Sequence, residues 1–589
     1  MNEKKGLILI IFFLAVTAGF IYSLNLKNQL FWDDLDWIAN NPFVHSFSAE
    51  NIKNWLTKNT LAGIGLKSNY YRPFLFFTFA ANFVSGGVNP LGYHLVNNLL
   101  HIANGILLFA LLLRVLKKRF VAFFAALIFL VHPLQTEAVT YISGRGDPLN
   151  VFFMLSALWL FLKSELSSSQ DDNWRNWRRW LSLGLLILAL LSRETAIVFP
   201  FLAMVVYLSF LNRLNFWNGL KKAVIKTLPY FATVFIYGIL RLTVLNFENI
   251  LNFYSRSNIY TEHLSVRIYT FLGVLLEYFK LLFAPVGLHM ERGVTVYGSL
   301  FFPKVFISLA LVLLMLALLF WFYFRQKNRK TTSEISLFSV SLFAFGWFFV
   351  NLGPTSGITP INAVMYEHWL YLALVGPATL IIFLLDEARR RGGKIISAAI
   401  LVFLLAATGA FSFLSVKRNI VWGDPIKFYE NILKYEPDSV RINNNLGNTY
   451  YDRGDYKRAE EYYWKAVSTD DNFPQPHYNL GSILQSRNDF YGALVEFEKA
   501  IAIDPDFPYA YQNMATIYAR QGKFEKSRDS LLKLVQLGYG HDPRLFLNLG
   551  KLELLLENRE AATEYLKTGL ELAGQDEEAK IEIQKLLEK

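Results

Sequence analysis

The sequence predicts an all-α protein in two parts, a polytopic membrane helix bundle over residues 1–420 and a helical-repeat solenoid over residues 421–589. Two observations carry this. Apolar residues, 53% of the 589, fall in blocks of about 15 to 22 residues up to Val416 and then stop, each long enough or nearly so to cross a bilayer core as a helix. From about Trp422 the chain turns charged and repeats itself at a fixed period.

The spans read in order as 6–24, 91–114, 120–136, 148–163, 178–192, 195–211, 224–245, 303–324, 334–352, 367–385 and 395–415, eleven in all. The first follows the basic stretch MNEKK. No small-x-small cleavage site comes after it and many spans do, so it reads as a retained helix with a cytoplasmic N-terminus. Segment 267–285 is apolar but carries Glu277 and Lys280. If it crossed, the basic runs 325–330 and 389–394 would change sides, so it reads as interfacial or re-entrant. Segment 72–86, short and ending in Gly-Gly, reads the same way. The basic clusters 117–119, 175–179, 221–222, 325–330 and 389–394 then all lie inside. The connections 25–90, 246–302 and 353–366, the loop 132–148 and everything beyond Val416 lie outside. A bacterial inner membrane with a periplasmic working face is expected, since no endoplasmic-reticulum retention signal ends the chain.

Several classes drop out. The net charge of +11 sits in short loops rather than in a groove-reading element, which argues against nucleic acid. The absence of cysteine removes disulfides and thiolate zinc sites. No nucleotide-phosphate loop occurs, so a sugar nucleotide is not indicated.

The repeats are NNLGNTYYDRGDYKRAEEYYWKAV, YNLGSILQSRNDFYGALVEFEKAI, QNMATIYARQGKFEKSRDSLLKLV and LNLGKLELLLENREAATEYLKTGL. Their small pairs, Leu446-Gly447, Leu480-Gly481, Met514-Ala515 and Leu549-Gly550, are spaced by 34, 34 and 35 residues, the tetratricopeptide period. An asparagine precedes each pair: Asn445, Asn479, Asn513 and Asn548. Stacked along one face, they would offer amide donors and acceptors to the main chain of an extended polypeptide.

Candidate chemistry gathers in the outer loops. FWDDLDW, 31–37, places Asp33, Asp34 and Asp36 among aromatics that limit solvent access and so raise carboxylate basicity. Asp36 reads as a helix cap or solvated neighbour. The loop VHPLQTEAVTYISGRGDPLN, 131–150, brings His132, Glu137, Arg145 and Asp147 to membrane level, where ionisable groups usually face a water-filled cavity. In LSRETAIVFP, Arg193 offers a planar two-point contact to phosphate and Glu194 can orient it. Arg241, and Glu367 with His368 in MYEHWLY, are further candidates. Acids after the first helix and bases at the ends of later helices suggest one cavity with a base at one end and a phosphate clamp at the other. A lipid-linked phosphate suits it, its tail in the bilayer and its head in the cavity.

The stretches NYYRPFLFFTFAANFVSGGVNPLGYHLVNNLLH (69–101), HPLQTEAVTYISGRGD (132–147), SRETAIVFP and EHWLYL, in that order, resemble the TMTC-type proteins and their bacterial relatives. These are GT-C membrane glycosyltransferases fused to tetratricopeptide repeats. The resemblance implies inverting transfer of a sugar, typically mannose, from a polyprenyl-phosphate carrier to Ser or Thr of an extracytoplasmic protein bound by the repeats. It also implies an acidic general base in the first outer loop, here Asp34 or Asp33, worth roughly 10² to 10⁴ in rate. Arg145 and Arg193, with His132, Glu137, Glu194, Glu367, His368 and Arg241, would surround the lipid phosphate. No cofactor or metal is expected, since cationic side chains suffice for a monophosphate leaving group. Where animal relatives show Glu-Arg, this chain has Glu367-His368. Two alternatives stay open: transfer to a glycan or lipid acceptor in surface-polysaccharide assembly, and a non-catalytic membrane scaffold whose repeats recruit partners.

Overall fold

The computed structural model describes residues 3–66, 68–166, 176–212, 216–247, 258–293, 295–327, 335–361, 363–574 and 576–588. Arg175 and residues 328–330, part of the basic clusters above, lie outside the described residues. The chain divides into two compact units, Met1–Asp424 and Pro425–Lys589. Among the described residues both are helical throughout, with no strand.

Among the described residues of the first unit, seven helices are long and apolar enough to cross a membrane: Lys4–Lys27, Pro90–Leu116, Glu194–Leu211, Phe216–Leu242, Pro303–Arg325, Leu337–Thr355 and Gly393–Val421. An eighth candidate is broken, Glu367–Ala373 and Val375–Arg391 meeting at a 52° bend. Three of the eleven expected spans fall outside this set. Segments 120–136 and 178–192 fold as helices of 13 residues, Arg119–Val131, and 14 residues, Trp177–Leu190. At 1.5 Å per residue each extends only about 20 Å, short of a ~30 Å hydrocarbon core. Segment 148–163 lies in Gly146–Glu165, which carries Asp147, Lys163 and Glu165 and is mostly buried among its neighbours. Leu264–Phe283 and Pro73–Gly86, expected not to cross, are also absent from the set.

Small residues let the helices close on one another. A Cβ on Gly105 would stand 2.4 Å from Leu130, and one on Gly376 would stand 2.5 Å from the Ala344 carbonyl. Polar contacts then fix the register inside the bundle. Asn25 and Asn98 exchange amide hydrogen bonds at 3.0 and 2.9 Å, tying the first helix to Pro90–Leu116. Such reciprocal bonds are favoured where water cannot compete for the amides.

The second unit pairs Val440–Asp452 with Tyr456–Thr469, Pro474–Ser486 with Phe490–Ile503, Pro508–Arg520 with Phe524–Leu534, and Pro543–Leu555 with Arg559–Leu572. Pro at the first turn of three A helices suits a position whose N–H has no helical partner. Tyr456–Thr469, Phe490–Ile503 and Arg559–Leu572 begin on side-chain caps at Asp455, Asp489 and Asn558. The repeat glycines mark close helix crossings: a Cβ on Gly447, Gly481 or Gly550 would meet Tyr463, Phe497 or Leu566 at 2.5 to 2.6 Å. One turn residue per repeat is left-handed, filled by Gly454, Asn488, Gly522 and Glu557.

Candidate active site

FWDDLDW and the SGRGD loop meet. Asp34 is buried, and its Oδ1 accepts from the Ser143 backbone N–H at 2.8 Å and from Ser143 Oγ at 2.6 Å. Burial pushes the Asp34 carboxyl up to about 7, the two Ser143 bonds opposing the rise and the adjacent Asp33 charge adding to it. Tyr141 donates its hydroxyl to Asp33 Oδ2 at 2.6 Å. Trp422 packs against both Phe31 and Tyr141, with centroids 6.1 and 5.6 Å apart. The short helix Leu35–Ala39 starts just after Asp34, whose side chain does not cap it.

At the other end of the same loop, Asp147 Oδ2 accepts from Arg193 Nη1 at 2.7 Å. Arg193 Nη2 lies 3.1 Å from His368 Nε2, and His368 Nδ1 lies 2.5 Å from Glu137 Oε1. A guanidinium only donates, so His368 Nε2 accepts; the ring is neutral and gives its Nδ1–H to Glu137. Glu137 is fully buried, and burial pushes its carboxyl up to about 7 against the pull of Arg418 and Arg292. Ser143 and Asp147 are four positions apart, no more than about 14 Å of chain even when extended. One loop therefore carries the partners of both the carboxylate pair and the arginine.

Other expected members are engaged elsewhere. Glu194 does not orient Arg193. It accepts from Arg72 Nε at 3.0 Å and from the Tyr71 N–H at 3.2 Å, while Arg72 lies over Tyr70 and Trp37. Glu367 Oε1 accepts from the His289 N–H and pairs with Arg292 at 2.5 Å, and Arg418 stands 2.5 Å from Oε2. Arg145, expected at a cavity, is wholly buried. It donates to Asn97 Oδ1, the Thr78 carbonyl and hydroxyl and the Tyr93 carbonyl, with Phe79 against its face. Four of its five N–H groups are so taken, which makes it an internal strut rather than a phosphate ligand. Arg241 likewise donates to the carbonyls of Leu245 and Asn69. His132 lies between the Leu282 carbonyl and the Leu134 N–H.

A partly open pocket adjoins Arg193's partners. Asp147, Asn150, Thr195 and His368 line its polar side, and Val151, Met154 and Leu372 its apolar side. Among the described residues, no group of three or more His, Cys, Asp or Glu could hold a metal ion. In the repeats, Asn479 gives its amide to Asn444 and Asn448 at 2.8 and 2.9 Å, and Asn513 reaches the Tyr478 hydroxyl at 3.5 Å. These two therefore bind adjacent repeats to each other. Asn445 is half-buried and Asn548 exposed.

Sequence reasoning missed Ser143, Tyr141, Arg72, Arg292 and Arg418. Hydroxyls carry no sequence pattern, and cations at helix ends look like interfacial anchors. The one available signal was that Arg72 and Arg418 stand at the ends of apolar blocks read as facing outward.

Residues 9–274 match the family model "Dolichyl-phosphate-mannose-protein mannosyltransferase", and residues 440–473, 481–522 and 508–537 match tetratricopeptide-repeat models. "Protein O-mannosyl-transferase F38B6.6" of Caenorhabditis elegans is 25% identical over 76% of this chain and 61% of its own length. "Protein O-mannosyl-transferase TMTC1" of Homo sapiens is 34% identical over 26% of this chain and 18% of its own. The chain thus spans less than two thirds of these relatives. Among solved structures, that of MamA covers 26% of the chain and 89% of its own length at 26% identity, with a TM-score of 0.24. The chain is similar to TMTC-type protein O-mannosyl-transferases, a mannosyltransferase-family match followed by tetratricopeptide repeats.

Proposed function

We propose that the first unit transfers mannose from a polyprenyl-phosphate carrier to Ser or Thr hydroxyls of proteins, with inversion. The observation that carries this is the shared loop 141–147. It holds a carboxyl pushed up to about 7, Asp34, at one end and Arg193 at the other. Asp34 takes the acceptor hydroxyl proton as the oxygen attacks the anomeric carbon. The bond from that carbon to the phosphate oxygen breaks, and its electron pair leaves with the lipid phosphate, whose charge Arg193 meets. A carboxylate of this pKa is suited to general-base work at neutral pH. Arg193 uses two of its N–H groups on Asp147 and His368, which fix its plane while the others remain for the phosphate. Arginine bears the leaving-group charge in this mechanism, and no resident metal or cofactor takes part.

The protein would lie in a bacterial inner membrane with these loops and the repeats on the periplasmic side, the repeats presenting the acceptor. Asp33 is the second candidate for the base, favoured by its fuller exposure beside Asp34. The test is reconstitution with polyprenyl-phosphate-mannose and a Ser/Thr-rich peptide, comparing wild type with Asp33→Asn, Asp34→Asn and Arg193→Gln. Transfer that survives undiminished in both aspartate variants refutes the base. Modification of a glycan or lipid, with no peptide modified, refutes the acceptor. Cysteines introduced at Ser439 and Asn328 should label from opposite sides of the membrane; same-side labelling refutes the topology.

A further inference from the structure

The pocket beside Arg193 has a chemistry that a phosphate does not match. Asn150 is 2% exposed and lines it. Its Nδ2 donates to Thr195 Oγ1 at 2.9 Å, and its Oδ1 has no partner. Asn351, also in the wall, gives its Nδ2 to the Trp347 carbonyl at 2.7 Å and so turns its own oxygen away from that bond. Asp147 adds a carboxylate. Tyr371 is in the wall too, but His101 and Asn104 already engage its hydroxyl at 2.9 and 3.2 Å. The wall thus holds one buried acceptor without a donor, Asn150 Oδ1. An ionised phosphate, itself all acceptors, cannot serve that oxygen, whereas a hydroxyl can donate to it. A buried carbonyl oxygen left without a donor is costly, so the site is built to be completed by something that brings one.

We propose that this pocket is the subsite for the donor's sugar ring and that Asn150 Oδ1 receives one of its hydroxyls. The proposal rests on the reading of the donor as a lipid-phosphate sugar and names the part of the site that recognises the sugar. Arg193 suits the arrangement: both of its partners, Asp147 and His368, line the pocket. A ring seated inside therefore has its phosphate at the guanidinium. Trp369 is also in the wall and adds aromatic surface to it.

The test is equilibrium binding to the purified full chain in bilayer nanodiscs. The probes are polyprenyl-phosphate-mannose, -glucose and -galactose, unglycosylated polyprenyl phosphate, and the monodeoxy-mannose donors. Asn150→Leu should weaken binding of at least one glycosylated probe about 3- to 10-fold, the worth of one neutral hydrogen bond, and leave unglycosylated polyprenyl phosphate unchanged. Wild type should discriminate against one monodeoxy donor by a similar factor, and Asn150→Leu should lose that discrimination. Thr195→Val, which removes the hydroxyl that orients the amide, should give a smaller loss of the same selectivity and guards against a folding defect in the first variant. Equal weakening of glycosylated and bare lipid phosphate would overturn the proposal, since the pocket would then serve the phosphate or the tail. Unchanged binding of every probe would overturn it as well, the pocket being filled by water. Sugar-selective binding without transfer to peptide would sink the acceptor assignment and leave this subsite standing. Transfer with a KM untouched by Asn150→Leu would do the reverse.

Discussion

Replacing Ser143 by Ala tests the link between the loop and the base. Asp34 Oδ1 holds two donors from one residue, the Ser143 N–H at 2.8 Å and its Oγ at 2.6 Å. The substitution removes the hydroxyl and keeps the backbone donor. A hydrogen bond to an ionised group contributes about 1.5–3 kcal/mol. Losing it destabilises only the carboxylate form, and at 1.36 kcal/mol per unit the pKa rises by about one to two units from its value near 7. If Asp34 is the base, the rising limb of kcat/KM against pH moves up by the same amount. At pH 7 the ionised fraction falls from about one half to between about 9% and 1%, a rate loss of roughly 5- to 50-fold. The loss is largely recovered at pH 10, where both proteins are ionised. The assay is mannose transfer to peptide from pH 5 to 10. A limb that stays in place, or a loss independent of pH, refutes the assignment of Asp34.

Three further outcomes follow from the same geometry. Asp34→Asn should abolish transfer yet stabilise the protein. A carboxyl raised from 3.8 to about 7 by folding binds extra protons in that window, so folded stability falls as pH rises through it. The Asn variant should gain up to about 4 kcal/mol above pH 7 and nothing below pH 4, read by denaturation at both pH values. Arg145→Gln should destabilise the fold, leaving the buried Asn97 Oδ1 without its donor, whereas Arg193→Gln should fold and lose about 10²–10³ in kcat, as seen in a melting curve beside the transfer assay. Glu557→Gly should stabilise the repeats by up to about 1 kcal/mol, because Glu557 has a φ of 62° at the turn position that Gly454 and Gly522 fill in other repeats. Thermal unfolding followed by circular dichroism checks this.

Apolar blocks and a 34-residue period made most helices legible, because both follow from burial on a fixed helical pitch. The expected spans that fall outside the long apolar set are Arg119–Val131, Trp177–Leu190 and Gly146–Glu165. Arg119–Val131 and Gly146–Glu165 are mostly buried among other helices, and hydropathy cannot tell a protein interior from lipid, whereas Trp177–Leu190 exposes Trp177, Trp180, Leu181 and Ile187 and is left out by its length. In the site, local pattern pointed to Asp33, Asp34 and Arg193 but could not separate Arg193 from Arg145 and Arg241. What separates them is the identity of acceptors far away in the chain. Arg145 meets carbonyls at Thr78 and Tyr93, and Arg241 meets one at Asn69. A main-chain carbonyl has no residue type, so no motif reports that an arginine is already satisfied. The pairing of Glu194 with Arg72, 122 residues away, instead of with its neighbour Arg193, escaped notice for the same reason.

The Glu137–His368–Arg193 chain leads to a further consequence for donor binding. Glu137 titrates near 7, and a single neutral imidazole separates it from the guanidinium assigned to the lipid phosphate. An anion arriving at Arg193 offsets positive charge that had favoured the Glu137 carboxylate, so its pKa rises. At pH 7 about half of Glu137 is ionised, and donor binding should therefore take up as much as about half a proton. By the same linkage, affinity for polyprenyl-phosphate-mannose should fall as pH increases from 6 to 8. Calorimetric titration in two buffers of different ionisation enthalpy measures the uptake directly. Glu137→Gln should remove both the uptake and the pH dependence of affinity while keeping an acceptor for His368 Nδ1–H, so that Arg193 stays in place. Uptake that persists in the Gln variant would assign the proton to another group, and an absence of uptake in wild type would mean that the phosphate does not sit at Arg193.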